Sequence, residues 1–191
     1  MSRITIEESN TTKRKIRQAF IEIYKTKPLD LISVKEITSS ANLNRGTFYI
    51  YYENIYSMLD EIEYEIISHL TGMTNKLPEQ TLTITPEELS ILIRPIFEYI
   101  ENNYTYFLAL LGEFSRPTFK DELSNLMKAN LTRRFILKNN NLGELQQYVI
   151  EYFISGQIGI IQYWIKSGIK ISSEQLIKLI TKIICFGIVD L

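Results

Sequence analysis

Arg45, Thr47, Tyr49 and Tyr51 fall within one seven-residue stretch, Arg45-Gly46-Thr47-Phe48-Tyr49-Ile50-Tyr51, and Lys35 precedes them. These groups suit binding rather than bond breaking. A guanidinium can meet guanine edges, and threonine or tyrosine hydroxyls can bond phosphates and bases. Upstream, Lys13, Arg14, Lys15 and Arg17 form a basic cluster. No catalytic constellation accompanies them. His69 is the only histidine, so a histidine-rich metal site or a histidine-activated nucleophile has little to draw on. Cys185 is the only cysteine, which excludes a disulfide framework; its apolar helical setting predicts a small buried residue. No glycine-rich phosphate loop occurs, and Glu61 and Glu65 have the spacing of a solvated helix face. No catalytic residue, metal site or cofactor is therefore expected.

The 191-residue chain has a formal net charge of −1, which taken whole argues against a polyanionic partner. Taken by segment it argues the other way. Residues 1–52 hold nine bases and five acids, a net +4, whereas residues 53–77 hold Lys76 against Glu53, Asp60, Glu61, Glu63 and Glu65, a net −4; the rest carries −1. A basic N-terminal unit on a near-neutral body favours a local anionic partner such as DNA phosphate. The 45% hydrophobic content and small net charge exclude disorder. Gln157, Gln162, Lys166, Lys178 and Lys182 interrupt the longest apolar stretches, so none reaches the ~20 residues of a membrane span. Met1–Thr12 is polar, without the apolar core of a secretory signal. A cytoplasmic protein with no membrane partner is expected.

Ile16, Ala19, Phe20, Ile23 and Tyr24 repeat on one helical face, predicting a helix over Thr11–Lys27 closed by Pro28. Ser33 and Glu36 form a capping box for a short helix with Val34, Ile37 and Ala41 inward. Asn42 tolerates the left-handed backbone of a sharp turn. Leu43 plugs that turn, and Asn44 caps a second short helix over Arg45–Tyr51, with Phe48 and Tyr52 inward. Together these make a helix-turn-helix unit. A long helix from Glu53 or Asn54 to about Asn75 follows, striped by Met58, Leu59, Ile62, Ile66, Leu70 and Met73. After a connector, Leu77–Thr85, the run Thr85-Pro86-Glu87-Glu88 restarts helix with a capping box, and Pro95 is expected to kink or split it. Tyr104–Leu111 and a segment from Pro117 through Phe135 read as helices, and Asn139–Gly143 as a loop. The last two helices, Glu144–Lys166 and Ser173–Asp190, are apolar nearly all round. One chain of this size hardly buries both, which predicts a homodimer through Tyr152, Phe153, Ile160, Trp164, Ile177, Ile180 and Ile184.

Four blocks resemble, as a spaced set, the N-terminal domain of TetR/AcrR-type transcriptional regulators. They are Ile16-Arg17-Gln18-Ala19-Phe20, Ser33-Val34-Lys35-Glu36-Ile37, Ala41 through Tyr49, and Tyr52 through Leu59. The resemblance spans about a quarter of the chain. It implies an all-α fold: an N-terminal three-helix helix-turn-helix DNA-binding domain over 9–57, joined by a long helix to a C-terminal helical ligand-binding and dimerisation domain over 58–191. It also implies DNA contacts from Lys35, Arg45, Thr47, Tyr49 and Tyr51 and close backbone approach at Gly46, with Phe48 and Tyr52 in the core. Lys13 and Arg14 join the DNA-facing set by their charge. The departures are Asn42 for the usual turn glycine, Tyr51 for a frequent histidine, and Ile55 for a phosphate-binding lysine.

The implied function is non-enzymatic: a ligand-responsive homodimeric repressor on near-palindromic double-stranded operator DNA. The alternative, favoured by Glu53 and Ile55, is a TetR-like coactivator that binds protein rather than operator DNA. The effector is an unidentified small molecule, apolar or aromatic, and Tyr99, Tyr104, Phe107, Met127 and Phe135 are candidate pocket liners.

Overall fold

Helices form wherever caps and apolar periodicity coincide. A computed structural model describes residues 6–76, 85–137 and 143–186, the side chains of 6–10 and 134–137 excepted. In chain order the helices are α1 (Ile6–Tyr24), α2 (Val34–Ser40), α3 (Arg45–Tyr51), α4 (Ile55–Thr74), α5 (Pro86–Asn102), α6 (Tyr104–Leu110), α7 (Pro117–Leu137), α8 (Leu145–Lys166) and α9 (Ser173–Phe186), with no strand among the described residues. Most of the Leu77–Thr85 connector and the Asn139–Gly143 loop, the end of α9 toward Asp190 and the Phe135 side chain lie outside them. Among the described residues no helix is long and apolar enough to cross a membrane.

Local chemistry explains the boundaries. The helix α1 stops at Tyr24 rather than Lys27; a proline disfavours helix in the residue before it, and Pro28 leads into a 3-10 turn over Leu29–Leu31. Ser33 Oγ accepts the Glu36 N–H at 3.2 Å to start α2. Asn42 has φ of 56°, the left-handed turn expected of it, and the Leu43 N–H then reaches the Thr38 carbonyl at 2.8 Å. Asn44 precedes α3 in extended conformation without a side-chain cap bond. Asn54 and Ser57 exchange capping bonds at the start of α4, as do Thr85 and Glu88 at the start of α5. The α5 helix runs unbroken through Pro95 and packs against α9, so the proline does not split it. Gly112, just past α6, is obligatory, because a Cβ there would lie 2.3 Å from the Leu108 carbonyl oxygen. Gly168 and Ile169 both have positive φ between α8 and α9, held by Ile169 N–H to Trp164 O at 3.0 Å and Trp164 Nε1–H to Ile171 O at 2.7 Å.

One continuous core links the head to the body. It runs from Ile16, Phe20 and Tyr24 of α1 through Phe48 and Met58 to Phe107, Phe119, Trp164 and Ile180. The α1 helix packs on α2 and on α6, so the head is not a separate bead. A satellite cluster joins Ile150, Ile154 and Ile158 of α8 to Met127 and Leu131 of α7.

This core corrects part of the predicted dimer surface. Trp164, Ile177 and Ile180 are at most 2% exposed and fill the chain's own interior, because α5 and α7 cover the sides of α8 and α9 that they occupy. Phe153, Ile160 and Ile184 are half-buried, and Tyr152 is exposed. Cys185, expected to be buried, is exposed.

Candidate functional site

The helix α3 is held by its inward side. Phe48 is fully buried and Tyr52, just past the helix, nearly so, their rings 5.6 Å apart. That anchorage leaves Arg45, Gly46, Tyr49 and Ile50 exposed, with Thr47 half-buried. Arg45 lies over the Tyr49 ring at 5.8 Å and donates to its hydroxyl at 3.2 Å, an i, i+4 pair that orders both side chains. Lys35, in the first turn of α2, and Arg14, on α1, are exposed. Among the described residues neither Arg14, Lys35 nor Arg45 has an ion-pair partner, so the positive surface of the head is available.

Two predicted contacts are placed differently. Tyr51 is half-buried against the core, its hydroxyl shut from solvent with no hydrogen bond, because it sits on the flank of α3 nearest Phe48. Lys13 pairs with Glu61 of α4 at 2.5 Å and lies over the Tyr52 ring at 5.6 Å. Part of the N-terminal positive charge is thus neutralised by the acidic segment that follows it. Arg17 goes furthest this way: its Nε donates to Tyr52 Oη at 2.7 Å and its guanidinium bonds Glu61 and Glu65. Burial works against the Arg17 charge, but the bonds to Glu65 and Tyr52 prevail and hold its pKa above the usual value. The same bond keeps the Glu65 carboxyl below its usual range. Burial pushes the Tyr52 phenol up to about 12 against the Arg17 bond.

A second polar junction ties the body to the head. Arg116, between α6 and α7, donates through Nη2 to Asp60 at 2.7 Å and Glu63 at 2.8 Å on α4, and its backbone N–H reaches Tyr24 Oη on α1 at 3.0 Å. Thr118 Oγ1 adds a bond to Glu63 at 3.3 Å. Glu63 is 5% exposed, and its burial raises its carboxyl pKa against the pull of Arg116. The sequence held a signal for this carboxylate: Glu63 is at i+4 from Leu59 and adjoins Ile62 within the apolar stripe of α4, where a charge needs a partner.

The body holds a half-open cavity of about 390 Å³ bordered by α4 through α9, within the range of small-molecule sites. Its walls are aliphatic and aromatic; Thr74, Asn130 and Gln157 are the polar residues on its lining. Of the predicted liners, Phe107 and Met127 border it. Tyr99 and Tyr104 do not: Tyr99 turns toward α4, its ring 4.4 Å from that of His69. Missed liners come from the last helices, notably Phe153, Gln157 and Ile161 of α8 and Ile184 of α9. Phe153 and Ile184, named above for an interface, also border this wall and are half-buried. Leu70 and Thr74 put the C-terminal end of α4 in contact with the cavity.

Comparison with known proteins places this architecture. An HTH-type transcriptional regulator of Bacillus subtilis, YxbF, is 21% identical over 113 residues, 58% of this chain but 30% of that protein, so the match spans under a third of the relative's length. The fold matches a TetR transcriptional regulator from Streptococcus agalactiae with a TM-score of 0.62 at 21% identity, covering 93% of this chain and 96% of the other. It also matches the transcriptional regulator FadR from Bacillus subtilis, in complex with stearoyl-CoA, with a TM-score of 0.61 at 16% identity, covering 92% and 98%. Residues 87–185, just over half the chain, match the TetR-type family described as "Transcriptional regulator C-terminal region". The helical head, the long connecting helix and this body together identify the chain as a member of the TetR family of transcriptional regulators.

Proposed function

We propose that the protein is a cytoplasmic, non-enzymatic, homodimeric repressor that binds a near-palindromic DNA operator through α3 and releases it when a small apolar ligand fills the body. The observation that carries the reading is the outward face of α3, where Arg45, Tyr49 and the bare backbone at Gly46 stand together above a buried Phe48. A recognition helix of this kind enters the major groove, and a dimer sets two of them about 34–36 Å apart. Lys35 and Arg14 supply phosphate contacts from the neighbouring helices. Ile55, which stands where a phosphate-binding lysine is usual, is buried under the head; it therefore offers no surface in support of the protein-binding alternative.

The exposed stripe of α8 supports the dimer. Leu145, Tyr148, Tyr152 and Tyr163 are each at least 67% exposed, and Gly156 and Gly159 between them leave room for close helix approach. Leu179 and Phe186 of α9 are further exposed apolar residues. The α4 helix supports the coupling. Its first turns are tied to α1 by Arg17 and Lys13 and to the α6–α7 segment by Arg116, while its far end meets the cavity. A ligand that binds the non-operator state better by a few kcal/mol shifts the population away from DNA. The predominantly apolar wall supports an uncharged or largely hydrocarbon ligand; stearoyl-CoA is the ligand of the FadR neighbour, and here the support is the lining itself.

A gel shift with the DNA upstream of the protein's own gene tests the reading. Wild type is expected to shift it with an affinity that falls steeply with salt, because phosphate contacts release counterions. Arg45→Ala and Tyr49→Ala are each expected to weaken binding by roughly 10-fold or more. No shift even at low salt would overturn operator binding.

A further inference from the structure

We propose that Ile50 reads the 5-methyl groups of thymine in the major groove, making the protein selective for A·T pairs at fixed positions in each half-site. This rests on the operator-binding reading above. Ile50 is 64% exposed although it lies between buried Phe48 and nearly buried Tyr52. It is an aliphatic side chain without a packing role, set in a surface whose other prominent groups are Arg45, Tyr49 and, on α2, Lys35. At about 3.6 residues per turn, Tyr49 and Ile50 stand one turn beyond Gly46 and flank it. Gly46 has no side chain and open space around it, so the two flanking groups are what a duplex drawn close to the helix would meet.

The two differ in chemistry. Tyr49 already shares its hydroxyl with Arg45, and the pair is equipped for hydrogen-bonding edges and phosphate. Ile50 can make no hydrogen bond, so phosphate and polar base edges gain nothing from it. The thymine 5-methyl is the apolar group that the major groove presents, and aliphatic contact with it is a form of base discrimination. The exposed cations of the head, Arg45 on the same helix and Lys35 on α2, have no ion-pair partner among the described residues and commit the occupant to a polyanion rather than to an apolar protein surface.

The test starts from duplexes retained by the full-length protein out of a random pool. Each thymine in a retained duplex is then replaced singly by deoxyuridine, which pairs identically and lacks the methyl. Wild type is expected to bind the substituted duplex about fourfold more weakly at one or two positions per half-site, the worth of one buried methyl group. Ile50→Ala is expected to bind thymine and uracil duplexes equally, and Ile50→Val to keep a reduced preference. Equal wild-type affinity for both duplexes, an undiminished preference in Ile50→Ala, or retained sites without A·T pairs would overturn the proposal. If the pool yields no duplex, or if Arg45→Ala binds as tightly as wild type, the operator reading itself fails and this inference falls with it.

Discussion

Tyr52 is where the head meets the long helix. Its ring packs on Phe48 while its hydroxyl accepts from Arg17 at 2.7 Å, and burial has pushed the phenol from 10.0 up to about 12. Between those values the folded protein holds a proton that the unfolded chain has lost, so stability falls as pH rises through that window. Tyr52→Phe keeps the packing and removes the titrating group. It is expected to cost about 1–3 kcal/mol at neutral pH, from the lost bond to a charged donor, and to flatten the alkaline decline, leaving the share due to the other raised phenols, Tyr24, Tyr56, Tyr99 and Tyr106. Urea denaturation followed across neutral and alkaline pH reads both effects; an unchanged slope would remove Tyr52 from the account. The inward placement of Tyr52 and Phe48 was legible in the sequence, because helical period assigns faces. The burial of the Tyr51 hydroxyl and the pairing of Lys13 with Glu61 were not, since period says nothing about which charges meet across helices. The sequence places Ile50 on α3, but not its 64% exposure, which follows from no other element packing over that side of the helix.

The α4 helix gathers the connections between helices. The α6–α7 segment reaches it through Arg116, which holds Asp60 and the buried Glu63. Removing Arg116 leaves a carboxylate in the interior without its cation, a loss of about 3 kcal/mol or more. Arg116→Met is therefore expected to lower unfolding free energy by about that amount. Adding Glu63→Leu should restore most of it, because an apolar pair of similar volume replaces the ion pair. Denaturant titration of both variants checks this, and a single-variant loss below about 1 kcal/mol would mean that solvent already screens the pair. Most helix starts were readable from caps: Asn54, Thr85 and Pro117 stand where the helices begin. The passage of α5 through Pro95 was not, because the packing of a neighbouring element decides whether a local preference holds. The Arg116–Glu63 pairing spans 53 residues of sequence and leaves no local mark beyond an acid in an apolar stripe.

Taken whole, the molecule divides the apolar character of its last two helices between two uses, and the sequence could not separate them. On α8, Ile150, Ile154, Ile158, Ile161, Trp164 and Ile165 face inward, while Leu145, Tyr148, Tyr152 and Tyr163 face out. Both sets are apolar, so periodicity merges them, and only the packing of α6 and α7 on α8 tells core from surface. The distinction yields opposite outcomes for two kinds of substitution. Trp164→Ala empties a site 2% exposed and is expected to lower fold stability by about 3–5 kcal/mol. Tyr152→Glu combined with Tyr163→Glu alters residues that are 74% and 77% exposed in the single chain. It is expected to leave helicity intact while placing like charges across the proposed interface. Light scattering should then give 22.4 kDa for the double variant and twice that for wild type, and the variant should lose operator affinity because two half-sites are no longer bound as one unit. A wild type of 22.4 kDa at micromolar concentration, or a double variant as large as wild type, would move the dimer contact away from this stripe.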